Sequence, residues 1–276
     1  MKTTNIFHVL LLSLLLIACF KSDSNNDEPI DLSIYTYVPD DNFEQLLIDR
    51  GYDDKFDDYV LTDNIKSVKE LRAIKSIDWG WVTGYSIADF TGLEAFESLE
   101  DFTCQNNLIT SLDLSKNIAL KALNCSLNQL TSLNLSQNTS LETLNCEQNQ
   151  LTSLDLSQNI NLVHLEVVEY TGNYGNNIAS LDLSNNKELV RLHCDSNNLS
   201  SIDISQNTKL KYFTCTNNEL TNLDLSNNIE LYHFIGSNNL MTCIKVNQNQ
   251  FNSINYSGNI QNWHKDPEAI YSLDCN

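Results

Sequence analysis

Cysteine is the residue type with the most chemical potential in this sequence, and it recurs at a fixed interval. Steps of 21 residues separate Cys104, Cys125 and Cys146, and the same step separates Cys194 from Cys215. Zinc sites use closely spaced pairs such as CxxC, which the sequence lacks. One thiol in each turn of a repeat instead predicts a column of free cysteines that pack as small apolar side chains.

Carboxylates form two further groups, an outward-facing column and an acidic run at residues 53–58. Unit charges about 5 Å apart in water repel by less than about 1 kcal/mol, so solvent can stabilise such a column without a metal. The run lacks the Gly at position 6 and the Glu at position 12 of an EF-hand loop. We expect no metal site and no cofactor, with calcium at either group as the alternative. The column consists of Asp113, Asp155, Asp182, Asp203 and Asp224, and Asn134 interrupts it.

Histidine and serine give no sign of an active site. The five His residues, at positions 8, 164, 193, 233 and 264, lie in no recognisable catalytic motif, and the Ser residues of the SLDLS stretches recur only with the repeat. Catalysis needs a nucleophile, acid or base held in a pocket. The sequence therefore predicts a binding protein and not an enzyme.

The element that positions these side chains is a 21-residue repeat. Residues 120–140 read LKALNCSLNQLTSLNLSQNTS, and residues 141–161 read LETLNCEQNQLTSLDLSQNIN. Between Cys146 and Cys194 the interval exceeds two periods by six residues, which places an insertion near residues 169–177. Val167 and Gly236 take the Cys position in two units. Seven units start at Leu99, Leu120, Leu141, Leu162, Leu189, Leu210 and Leu231.

Alternation within each unit predicts a β-rich solenoid with two walls. In a strand, residues two apart share a face, so Leu123 and Cys125 point inward and Asn124 points outward. Stacked units then form a parallel sheet on the Cys-bearing wall, and the SLDLS stretches form short extended segments on the opposite wall. Two inward Asn columns should satisfy the backbone at the turns. They comprise Asn107, Asn128, Asn149, Asn197, Asn218 and Asn239, and Asn117, Asn138, Asn159, Asn186, Asn207, Asn228 and Asn249.

The pattern L-x-x-L-x-C-x-x-N-x-L resembles the leucine-rich-repeat family over about two-thirds of the chain. The stretch IADFTGLEAFESL at residues 87–99 is similar to internalin-like repeats. Residues 37–70 and 243–276 resemble the caps of Bacteroidetes surface proteins, which leaves residues 71–242 as the solenoid. In the N-terminal cap, Asp41 and Asn42 precede FEQLLIDRG and predict a capped short helix, with few helices elsewhere.

The N-terminal segment is typical of a processing signal. Residues 1–18 combine Lys2 with an apolar run too short to span a bilayer, which predicts a signal peptide. The sequence from Leu16 to Cys19 resembles the lipobox of bacterial lipoproteins, which implies cleavage before Cys19, its lipidation and a polar tether over residues 19–36. An ordinary secretory signal is the alternative. The resemblance implies an outer-membrane location, with either the outer face or the periplasm as the exposed side.

Composition restricts the partners. Asp and Glu number 36 against 16 Lys and Arg, a formal net charge of −20, which disfavours nucleic acid and anionic membranes. We expect a monomer whose only membrane contact is the lipid. Cys243 and Cys275 lie outside the Cys column, in a compartment that favours disulfides, so we expect a bond between them.

A ligand surface is predicted where the outward side chains of the Cys-bearing wall become large. Early units carry small neutral residues there, and later ones carry Arg and Tyr, which are typical interface anchors. We expect a protein ligand or an adhesion role, with glycan binding as the rival function and an ordinary polar face as the plain alternative. The predicted surface comprises His164, Glu166, Arg191, His193, Tyr212 and His233, with Tyr170 and Tyr174 of the insertion beside it.

Overall fold

The computed structural model describes residues 31–78, 81–168, 176–256 and 262–275. From Leu32 onward the described residues form one compact unit. The predicted signal peptide and Cys19 lie outside the described residues, as do Tyr170 and Tyr174 of the insertion. None of the helices in the described part of the chain has the length and apolar character needed to cross a membrane.

The N-terminal cap begins earlier than the sequence suggested, because residues 32–36 are structured and not part of the tether. Asp40, and not the Asp41–Asn42 pair, caps the first helix by accepting the backbone N–H groups of Asn42 and Phe43 at 2.9 and 3.0 Å. The apolar face of that helix is buried. The cap contains a 3-10 helix at Leu32–Ile34, β1 at Tyr35–Tyr37, α1 at Asp41–Asp49, β2 at Tyr59–Leu61 and α2 at Thr62–Ile65.

The solenoid follows directly, and its strands recur with the predicted period. One difference is an antiparallel hairpin, β4–β5, which lies between β3 and the first regular unit at Leu99. The strands are β3 Glu70–Arg72, β4 Ile74–Asp78, β5 Trp81–Gly84, β6 Asp101–Thr103, β7 Ala122–Asn124, β8 Thr143–Asn145, β9 His164–Glu166, β10 Arg191–His193, β11 Tyr212–Thr214, β12 Leu223–Asp224 and β13 His233–Ile235, with a 3-10 helix at Leu93–Ala95.

The C-terminal cap continues both walls. It also contains a helix, α3, that the sequence analysis did not predict. The elements are β14 Cys243–Lys245, α3 Gln248–Tyr256, β15 Trp263–His264 and β16 Ile270–Ser272. A disulfide joins Cys243 to Cys275, as expected.

One parallel sheet of nine strands forms the Cys-bearing wall, in the order β15-β13-β11-β10-β9-β8-β7-β6-β3. Equivalent residues pair across it, for example Leu123 with Leu144 and Leu192 with Phe213. The β-rich solenoid is therefore confirmed. On the opposite wall the alternation of buried Leu and exposed Asp or Asn holds, but regular pairing there is limited, within the described residues, to β12-β14-β16 at the C-terminal end.

The first Asn column connects successive coils through buried hydrogen bonds. Asn149 donates from Nδ2 to the carbonyls of Cys125, Cys146 and Glu147, and its Oδ1 accepts the N–H of Leu130 at 2.9 Å. The insertion does not interrupt this column. Asn176, which the sequence analysis had not assigned to it, donates to Cys146 and accepts from Leu151.

The second column holds the opposite turn, with one correction. Asn138 donates to the carbonyls of Leu114 and Asn117 of the preceding coil, and the equivalent residues up to Asn228 repeat this pattern. At the C-terminal end the assignment of Asn249 is wrong, since that residue is exposed. Gln250 replaces it and donates to Leu225 and Asn228, because α3 starts there and shifts the inward position by one residue.

The Cys column is buried as predicted, and all five of its thiols are free. Burial raises the pKa of the Cys125 thiol to about 12, so it stays protonated and unreactive in the folded chain. At Gly236, a Cβ atom would lie 2.4 Å from Cζ of Phe234. The bulkier Phe234 therefore fills the space that a Cys occupies in other units.

Asn149→Ala is expected to lower the free energy of unfolding by about 2–4 kcal/mol, because it leaves buried backbone groups of two coils without partners. Urea denaturation followed by circular dichroism measures the change. Gln150→Ala, at the exposed neighbouring position, is the control and should change stability by less than about 0.5 kcal/mol. Equal effects of the two substitutions would contradict a structural role for the column.

Candidate functional site

The predicted ligand residues within the described chain share one surface. His164 and Glu166 lie on β9, Arg191 and His193 on the adjacent β10, and the remaining two on β11 and β13. All are half-buried, and each has its inward-facing neighbour in the core. Parallel pairing in register holds these side chains in rows about 4.8 Å apart. We call this outward side of the nine-stranded sheet the sheet face.

An aromatic and cationic cluster occupies the C-terminal part of the sheet face. The guanidinium carbon of Arg191 lies 4.7 Å from the ring centroid of Tyr212, within cation–π range. The Tyr212 ring packs edge-on against Tyr232 at a centroid distance of 4.7 Å and lies 5.9 Å from the ring of His233. Tyr232, which is 45% exposed, was missed in the sequence because it immediately precedes its strand.

Arg191 has an unusual local environment in this cluster. Its Nε is buried and has no hydrogen-bond partner among the described residues. A buried donor without a partner costs free energy in the unliganded protein. The stacking on Tyr212 also restricts the rotamers of the long side chain before any ligand arrives.

A polar network lies beside the cluster on β8 to β10. Nδ2 of Asn145 donates to Oε2 of Glu166 at 2.8 Å, and Oε1 of Glu166 lies 3.7 Å from Nδ1 of His193. Burial lowers the pKa of His193 from its ordinary value, and the carboxylate of Glu166 partly opposes that shift. The imidazole is therefore held in its neutral form more firmly than in solvent.

Asp195, an outward residue just after β10, extends the network. Its side chain accepts the hydroxyl of Thr214 and, at 2.6 Å, the N–H of Thr216. These bonds tie β10 to β11 at the end of the strands. They leave a carboxylate fixed beside the sheet face, near His193. Its negative charge partly opposes the lowering of the His193 pKa by burial.

A depression of about 290 Å³ lies over β6 to β10, toward the N-terminal side of the cluster. Its floor is formed by the small outward residues of the early units, such as Ala122 and Thr143. Asp101 lines it on β6, and His164 and Arg191 line it on β9 and β10. The change from small to large side chains along the sheet therefore creates a concavity next to the predicted surface.

Comparison with solved structures finds the same architecture in two internalins of Listeria monocytogenes. Internalin F is 18% identical with a TM-score of 0.63, over 87% of this chain and 72% of that one. Internalin C2 is 17% identical with a TM-score of 0.60, over 90% of this chain and all of that one. The chain has the leucine-rich-repeat fold. At this identity the similarity concerns the fold alone.

A third solved structure that the chain matches is the functional domain of InlJ from Listeria monocytogenes, described as including a cysteine ladder. It is 24% identical with a TM-score of 0.40, over 87% of this chain, and the match spans only 62% of that domain. No protein-family model and no curated protein matches the chain.

Glu166→Gln is expected to lower the pKa of His193 further, because it removes a nearby negative charge that stabilises the imidazolium. Arg191→Ala should act in the opposite direction, since the guanidinium disfavours a second cation beside it. An NMR titration of the ring nitrogens measures both shifts. A rise in the His193 pKa after Glu166→Gln would show that the two side chains do not interact as described.

Proposed function

We propose that this leucine-rich-repeat protein is a binding module whose sheet face captures a protein ligand. The observation that carries the proposal is the fixed cluster of Arg191, Tyr212 and Tyr232 beside the depression. Residues of these types contribute most of the binding energy in typical interfaces, especially when they lie next to a concave region. The chain is proposed to have no catalytic activity, in keeping with a fold whose regular side chains serve packing.

Electrostatics favour a ligand of mixed or basic character. Glu166 and Asp101 supply carboxylates that line the depression, whereas Arg191 supplies the cation at its edge. Burial raises the pKa of the Asp101 carboxyl, and the positive charge of nearby Arg72 partly opposes that rise. A basic or hydroxyl-rich protein surface would match these carboxylates.

Glycan binding is the second candidate, and the position of Tyr232 favours it. Sugar rings pack on exposed aromatic side chains, and the sequence predicted Tyr212 on the strands of this wall, with Tyr170 and Tyr174 of the insertion beside it. The structure places Tyr232 against Tyr212, which enlarges the aromatic surface. The ring planes are inclined at 67°, so the pair offers two differently oriented surfaces and not one flat platform.

The proposed setting is the outer membrane, with the solenoid attached through lipid on Cys19. Several acyl chains on one Cys anchor a protein firmly, since each buried CH₂ contributes about 0.8 kcal/mol. A surface location would give the sheet face access to ligands outside the cell, consistent with an adhesion role. We propose that the chain acts as a monomer.

The double substitution Arg191→Ala plus Tyr212→Ala is expected to weaken ligand binding at least tenfold, because it removes both stacked partners of the cluster. Arrays of purified extracellular proteins and of glycans identify the ligand, and surface plasmon resonance measures its affinity. A hit on only one of the arrays decides between the two candidate ligand classes.

The control for that experiment is Lys187→Ala plus Ile229→Ala. Both residues are exposed and follow the second Asn column, away from the sheet face. This control should retain the affinity of the unmodified protein. If the ligand binds the Arg191/Tyr212 variant as tightly as the control, the site assignment is wrong.

Cys19→Ser is expected to transfer the protein from the detergent phase to the aqueous phase in a Triton X-114 partition of cells, because no acyl chain can then be attached. Cys146→Val is the matched control, since Val167 occupies the same position in a neighbouring unit. Unchanged partitioning of Cys19→Ser would exclude lipid anchoring at that residue.

A further inference from the structure

Three carboxylates of the N-terminal cap converge, although they are well separated in the sequence. Glu44 lies on α1, and Asp53 and Asp57 belong to the loop between α1 and β2. One carboxylate oxygen from each of the three residues lies within 4.8 Å of the other two. This cluster is distinct from the sheet face, and its interpretation does not depend on the proposed ligand.

Glu44 is the unusual member of the cluster because its side chain is fully buried. Its Oε1 accepts the backbone N–H groups of Asp57 and Asp58 at 2.7 and 2.6 Å. Its Oε2 is also buried but has no hydrogen-bond partner among the described residues, and Oδ2 of Asp53 is in the same situation. Buried carboxylate oxygens without partners are costly, because they have lost water and gained nothing in return.

Neighbouring cations do not neutralise these two oxygens in the described structure. Lys55 pairs with Oδ2 of Asp57 at 2.7 Å, at the exposed edge of the loop. Burial raises the pKa values of both Glu44 and Asp53, and adjacent carboxylates raise them further. The inner side of the cluster is therefore an unneutralised, partly dehydrated set of oxygen ligands.

The loop matches an EF-hand loop only in part, because Lys55 stands at position 3, where an EF-hand has a ligand. If Asp53 is position 1 of an EF-hand-like loop, Asp57 is position 5 and Asp58 is position 6, where EF-hands have Gly for a sharp turn. Asp58 adopts a left-handed φ of 64°, so the turn forms without Gly. Position 12 departs from the pattern, because it is Asn64, whose Nδ2 donates to the carbonyl of Tyr52.

We propose that Glu44, Asp53 and Asp57 bind one calcium ion. Calcium takes oxygen ligands at about 2.3–2.6 Å, and oxygens that lie within 4.8 Å of one another are close enough for one such ion to contact all three. Magnesium needs shorter, near-octahedral bonds and usually retains several waters, so three clustered carboxylates suit it less well.

Binding would fasten the cap to the solenoid end that it covers. Glu44 is held by α1, whose apolar side chains lie in the continuous core with Leu71 and Phe102 of the first solenoid strands. An ion shared with the loop would therefore connect the loop to that packed helix. With few protein ligands, the affinity should fall in the range of extracellular calcium modules, about 10⁻⁴–10⁻³ M.

The test uses the purified protein after treatment with EDTA and dialysis. Isothermal titration with CaCl₂ is expected to show one ion bound per chain, and MgCl₂ should bind more weakly. At a calcium concentration ten times its Kd, the Tm should rise by about 3–6 °C. Absence of both binding heat and a Tm shift up to about 10 mM calcium, well above the expected range, would overturn the proposal.

Variants locate the ion. Asp53→Asn should weaken calcium binding at least tenfold and abolish the Tm shift. Asp182→Asn, the same change on the exposed column of the opposite wall, should leave both unchanged. Glu44→Gln provides a second test, because its amide oxygen can still accept the two loop N–H groups while the charge is lost.

Two results would contradict this location. Calcium binding that survives Asp53→Asn and Glu44→Gln unchanged would place the ion elsewhere on the acidic chain. In the second contradicting result, the unmodified protein shows no calcium response and Asp53→Asn raises the Tm without calcium. The carboxyl groups of Glu44 and Asp53 would then share a proton instead of an ion.

Discussion

The structure depends on the satisfaction of backbone hydrogen bonds at one repeated turn. Three residues after the end of β6, β7, β8, β10, β11 and β13, the chain turns through a residue with a left-handed conformation, such as Leu127 at φ 56° or Gln148 at φ 50°. That conformation is unfavourable for a side chain with a Cβ atom, so the turn must be stabilised from outside. The following Asn supplies this stabilisation: Asn149 bonds to carbonyls of its own coil and the preceding one, which fixes the turn and the stacking together.

Because the turns are fixed, the outward positions of the strands are free to vary. Leu and Cys must remain inside at each step, but the residues between them contact solvent and neighbouring strands only. The protein uses this freedom asymmetrically, with small residues such as Ala122 followed by large ones such as Arg191. A depression and an aromatic cluster therefore arise on a regular scaffold without any change in its backbone.

Periodicity explains which features were predictable from the sequence. Strand positions, both Asn columns, the buried thiols and the sheet face all follow from a 21-residue step and the two-residue alternation of strands. The β4–β5 hairpin and α3 lie where the period fails, so local patterns could not place them. Tyr232 occupies a regular position, but its contact depends on how its side chain packs against Tyr212. The convergence of Glu44 with Asp53 was also beyond reach, because it depends on how α1 packs against a loop with no repeat. The position of Asn176 could have been predicted, since one 21-residue step from Asn149 plus the six inserted residues gives residue 176.

The two Asn columns form different sets of hydrogen bonds, and this difference explains how the second column can end on Gln250. In the first column both the amide hydrogens and the oxygen are bonded, as in Asn149. In the second, Nδ2 of Asn138 is bonded, but Oδ1 has no partner among the described residues, and the same holds for its five equivalents. The side chains of the second column use only their N–H donors. A residue that replaces one of them therefore needs to supply only N–H donors. Gln250 provides two N–H bonds from a helix and satisfies that requirement, whereas a residue of the first column must bond in both directions and keeps Asn as far as Asn239.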